Sequence, residues 1–125
     1  MSAMRKLPVI GMLTVLLLAA ACANGEGQTI DPSQVTGKLS TEPETVIAGQ
    51  TVTLNASFEG IPEREGEEVV FEIRKGKAAL IDAVEESDGV YKADYAFPEK
   101  GQYDVYLHYY HGRDHIAKLV RLIVS

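Results

Sequence analysis

"TVTLNASF", residues 51–58, alternates apolar and polar side chains without a break, and this alternation restricts the fold more than any other feature of the chain. Successive side chains of a strand point to opposite faces, so Val52, Leu54, Ala56 and Phe58 share one face and Thr51, Thr53, Asn55 and Ser57 the other. The period returns in "EVVFEIRK" (Val69, Phe71, Ile73 inward), "VYKADYAF" (Tyr91, Ala93, Tyr95, Phe97) and "QYDVYLHYY" (Tyr103, Val105, Leu107, Tyr109). "KLVRLIVS" alternates less cleanly, with Val120, Leu122 and Val124 as its inner set, and "AALIDA" is a shorter strand candidate. Between these runs stand "AGQ", "EGIPEREGE", "RKGK", "ESDG", "PEKGQ" and "HGRD", each rich in turn-forming residues. Short strands without an amphipathic helix predict an all-β fold, a two-layer antiparallel β-sandwich of six or seven strands. The single cysteine leaves no disulfide within the chain, so the apolar core must supply the stability.

Two details narrow the sandwich to an immunoglobulin-like one. "AGQTVTLNA" resembles strand B of that fold, with Ala56 where its first cysteine would stand. "EKGQYDV" resembles the entry to strand F, with Tyr103 two residues before Val105, which takes the second cysteine's place. A tyrosine there closes a tyrosine corner by bonding back to the upstream backbone, which gives Tyr103 a structural role. No tryptophan is available for strand C.

The first 21 residues have the form of a secretory signal: Arg5 and Lys6, then an apolar run over residues 7–21. The run ends in "LLLAAAC", which resembles the bacterial lipobox and implies acylation (palmitate) of Cys22 after cleavage. Residues 22–38 are small and polar and read as a flexible tether, so the sandwich domain is expected over 39–125. All three methionines leave with the signal, and the mature chain carries 10 basic and 18 acidic residues, a balance of 10 − 18 = −8. That charge argues against nucleic acid as a partner and against electrostatic attraction to anionic lipid. Attachment would rest on the acyl chains, placing the protein on the extracytoplasmic side of a bacterial cell membrane.

With "VVFEIRKG", "GVYKADYAFPEKGQYDV" and the later histidine, the chain resembles the YtkA-like domain, related to the extracytoplasmic domain of FixH-type proteins, over about residues 46–124. The resemblance implies a small exported β-sandwich, commonly a lipoprotein. It also implies a histidine late in strand F and another seven residues on, matched by His108 and His115. A methionine often follows two residues later; Ala117 stands there instead, which disfavours Cu⁺.

All three histidines lie in "HYYHGRDH", residues 108–115. A hairpin centred on Gly112 and Arg113 sets Tyr110 opposite His115 and His108 opposite Ala117. His108 and His115 then form a diagonal pair on the face away from the core, with Cα atoms roughly 7–8 Å apart. Such a pair could hold Cu²⁺ or Zn²⁺, with His111 or Asp114 as further candidate ligands. The competing reading is three solvated imidazoles on a wet turn. The carboxylates of "PEREGEE" and "VEESDG" lack the spacing of a calcium loop and read as solvated turns. No nucleophile sits in a recognisable elbow and no glycine-rich loop opens a helix, which points away from an enzyme. Two functions follow as expectations. One is a non-catalytic, membrane-tethered binding module that meets an envelope protein through Tyr106, His108 and Tyr110. The other is extracytoplasmic metal handling through His108 and His115.

Overall fold

The computed structural model describes residues 30–62, 64–87 and 89–125; the expected signal sequence and Cys22 lie outside the described residues. The alternating runs become eight strands: β1 Thr36–Glu42, β2 Thr51–Glu59, β3 Glu68–Lys75, β4 Lys77–Asp82, β5 Val84–Ser87, β6 Val90–Ala96, β7 Gly101–His111 and β8 Asp114–Val124. They form two four-stranded sheets, ordered β1-β2-β6-β5 and β4-β3-β7-β8, with every neighbouring pair antiparallel. This is the order of the constant-type immunoglobulin sandwich with one strand, β4, added beside β3. Along one side β1 leans against β8, so closely that a Cβ on Gly37 would stand 2.8 Å from Lys118 Cβ.

The core is the set of inward positions named by the alternation. Leu54, Phe71, Phe97, Val105 and Leu107 are fully enclosed, and Ala56 and Val105 meet in the same cluster where the fold's disulfide would be. Phe71 on β3 lies fully enclosed in the same cluster. Tyr103, only 3% exposed, donates its hydroxyl hydrogen to Glu99 O at 2.9 Å and accepts from Glu99 N–H at 3.1 Å, tying the loop before β7 to the sheet. A second cluster of Val35, Val69, Tyr91, Tyr109 and Ile116 fills the end of the sandwich nearest the β7–β8 turn.

The structure departs from the expected layout in three places. The described residues form eight strands rather than six or seven. β5 arises within "VEESDG", expected to be a turn; all four of its residues are exposed, so it lacks the buried alternation that would mark it. The domain also begins before residue 39. Ile30 N–H donates to Asp114 Oδ1 at 3.2 Å, Pro32–Gln34 form a 3₁₀ turn, Val35 is buried and β1 starts at Thr36. Gly60 makes this docking possible: its φ is +95°, and a Cβ there would lie 2.3 Å from Gln34 O. Among the described residues no helix is long and apolar enough to cross a membrane.

Candidate functional site

β7 and β8 are the longest strands, joined by Gly112 and Arg113, with Gly112 at φ +58° as a two-residue hairpin turn requires. The register sets Tyr110 opposite His115 and His108 opposite Ala117. Parity then sorts the polar residues of this hairpin. Tyr106, His108, Tyr110 and His115 stand on the outer face of the sheet, whereas His111 and Asp114 fall at the turn and bend toward the end of the sandwich.

On the outer face the two imidazoles converge. His108 Nδ1 and His115 Nε2 are 3.0 Å apart, and the rings are stacked with centroids 5.2 Å apart. His108 Nε2 donates to Glu72 Oε1 at 2.7 Å. A carboxylate only accepts, so this bond puts the His108 proton on Nε2 and turns the Nδ1 lone pair toward His115. Glu72 is only 9% exposed, and its other oxygen accepts from Arg74. The hydrogen bond from His108, then that from Arg74, holds the Glu72 carboxyl below its ordinary range, against the effect of burial. The row continues through aromatic rings. His108 stacks on Tyr110 at 5.9 Å, Tyr110 stacks on His115 at 4.4 Å, and the Arg74 guanidinium lies 5.1 Å over Tyr106.

A metal bound at about 2.0–2.1 Å by two nitrogens 3.0 Å apart subtends an angle of about 95°, within reach of tetragonal or distorted tetrahedral geometry. Glu72 would then act as the carboxylate that orients a ligating histidine through its second nitrogen, rather than as a ligand. Among the described residues no group of three or more His, Cys, Asp or Glu side chains is placed to hold a metal. His111 and Asp114, the further candidate ligands, stand apart from the pair and have other partners. Asp114 pairs with Arg64 at 2.9 Å and accepts from Ile30 N–H, and the Arg64 bond holds its carboxyl below the ordinary value. His111 accepts from Arg64 at Nδ1, 2.6 Å away, and its Nε2 lies 3.0 Å from Glu65 O.

Two residues of this arrangement were not anticipated. Glu72 reads in sequence as an ordinary outward strand residue, and only the β3–β7 pairing, with Glu72 opposite Tyr106 and Val70 opposite His108, brings it to the imidazole. Arg64 lies in a loop whose path no periodicity specifies. The signal available for Glu72 was chemical: a carboxylate flanked by apolar residues on a central strand needs a donor.

No family model matches the chain, and no curated protein matches it. The fold and the outer face together define an immunoglobulin-like sandwich with a built histidine–carboxylate–aromatic surface.

Proposed function

We propose that the protein is a non-catalytic, lipid-anchored extracytoplasmic module of the YtkA-like type that binds an envelope protein through the outer face of the β4-β3-β7-β8 sheet. The asymmetry between the two outer faces carries the reading. The β1-β2-β6-β5 sheet presents mainly Lys38, Ser40, Thr53, Asn55, Lys92 and Asp94, with Val84, 67% exposed on the edge strand β5, as its one large apolar side chain among the described residues. The opposite sheet presents the Tyr106–His108–Tyr110–His115 row, flanked by Leu80 at 70%, Leu119 at 40% and Ile123 at 64% exposure. Large apolar side chains grouped around aromatic residues with polar tips are the composition of an interface core. Site-specific photo-crosslinking in native membranes tests it. A probe at Tyr106 or Leu119 is expected to trap one defined envelope protein that a probe at Thr53 does not. Equal labelling from both sheets would refute the assignment.

The His108–His115 approach supports a second reading, extracytoplasmic handling of Cu²⁺ or Zn²⁺ through those two nitrogens, with water completing the shell. The two readings share one face, so a metal could also regulate the contact. Calorimetry with each ion on the protein and on the His108→Ala/His115→Ala double variant decides it. Equal binding by both proteins would end this reading.

A further inference from the structure

We propose a second binding site, independent of the outer face: the cavity between the β2–β3 loop and the β5–β6 hairpin takes a small organic cation bearing N–H donors, of the alkylammonium or polyamine class. The cavity measures about 590 Å³, within the range of small-molecule sites. Its floor is aromatic, with Phe58 packed edge-on against Tyr91 at 6.3 Å and Tyr109 at 5.6 Å.

Three glutamates line it, Glu65, Glu67 and Glu85, and the last two are each fixed by the framework through one oxygen. Glu67 Oε2 accepts from the Tyr91 hydroxyl at 2.6 Å, and Glu85 Oε2 accepts from Gly89 N–H at 3.0 Å. Glu85 lies directly across from Tyr91 in the β5–β6 register, so both charges converge on one phenol. Burial, then the bond to Glu67, pushes the Tyr91 phenol far above its usual range, which keeps it a neutral donor. The second oxygen of each carboxylate has no partner among the described residues.

The only basic side chain among the described lining residues is Arg64, whose Nη1 pairs with Asp114 at 2.9 Å and whose buried Nη2 has no hydrogen-bond partner among the described residues. Three glutamates against one paired arginine leave the lining net negative, which disfavours anions. A purely apolar ligand would strip water from Glu67 and Glu85 and give nothing back. An ammonium group satisfies both: its N–H groups donate to the free oxygens while its alkyl chain lies on the rings, where a cation also gains from the aromatic faces.

Calorimetric titration of the full-length protein in detergent with n-butylammonium, spermidine and tetramethylammonium tests the site. The first two are expected to bind with dissociation constants below about 1 mM. Tetramethylammonium has no N–H donor and is expected to bind at least about tenfold more weakly. Glu67→Gln and, separately, Glu85→Gln on the exposed β5 should each weaken n-butylammonium at least about tenfold, with melting temperatures recorded to establish that each variant folds. Glu44→Gln, at the opposite end of the sandwich, should leave binding unchanged. The proposal is overturned if neither n-butylammonium nor spermidine binds more tightly than about 10 mM. It is also overturned if tetramethylammonium binds equally well, or if Glu44→Gln costs as much as Glu67→Gln, the mark of general counter-ion attraction to an acidic chain.

Discussion

Replacing Tyr103 with Phe removes one oxygen atom and leaves almost everything around it in place. The ring keeps its edge-on contact with Phe97 at 4.8 Å and its position 6.0 Å beneath the Lys75 ammonium. What is lost is the pair of bonds to Glu99, one from its N–H and one to its carbonyl. A buried group left without a partner costs about 1–3 kcal/mol. The Glu99 side chain is 71% exposed, so water can reach its backbone in part, and we expect the lower half of that range, about 1–2 kcal/mol. For a domain of this size each kcal/mol shifts the melting temperature by about 4–8 °C, so Tyr103→Phe should melt about 4–16 °C lower. Urea denaturation should show a lower midpoint with an unchanged slope, because the exposed area on unfolding is the same. Tyr95 is the internal control: its ring packs on Phe97 at 4.8 Å, but its hydroxyl has no hydrogen-bond partner among the described residues. Tyr95→Phe should therefore stay within about 0.5 kcal/mol of the native protein. Equal stability of the Tyr103→Phe and Tyr95→Phe variants would refute the argument that the corner is held by that hydroxyl.

If the histidine pair binds Cu²⁺ or Zn²⁺, Glu72→Gln should weaken the metal by about 10–100-fold without removing either ligand, and calorimetry would show it; an unchanged affinity would deny Glu72 its orienting role. Only neutral imidazole ligates, so the same titration should show affinity falling as the solution is acidified. Asp114 is held below its ordinary value of 3.8 by Arg64, so it contributes stability that is fully present above that pH and is lost as pH falls through the lower folded value. Asp114→Asn should thus lower the melting temperature at neutral pH and flatten the acid side of the stability curve, measured by thermal melts below pH 5. Cys22→Ala should move the protein out of the membrane fraction on immunoblotting, and mass spectrometry of the native chain should find lipid on Cys22; an unmodified thiol would refute the anchor.

Most of the sandwich was legible because burial on one face of a strand imposes period two, and β2, β3, β6 and β7 obey it nearly without exception. β5 was not, since a strand exposed along its whole length carries no such imprint. β1 was hidden for another reason. Its inward positions include Gly37 and Thr41 beside Leu39, small or polar residues that suit a close approach to β8 but do not read as apolar. The histidine pairing was legible because a two-residue turn determines the register of everything along its hairpin. The fates of His111, Asp114 and Glu72 were not, because each depends on a partner from another part of the chain: Arg64 for the first two, and the β3–β7 register for the third.

The docking of Ile30 on Asp114 has a consequence for how the protein stands at a surface. Asp114 adjoins the hairpin turn, so Ile30 lies at that end of the sandwich. With lipid on Cys22, the eight-residue leash to Ile30 reaches at most about 29 Å, whatever path it takes. If that anchor forms, so short a tether would restrict the attitudes open to the domain. Its hairpin-turn end, with the acidic cavity beside it, would then face the bilayer, while the His108–Tyr110 row would run up the flank. A partner that docks on that flank would have to approach along the membrane plane, as a neighbour in the same membrane does, rather than descend from above.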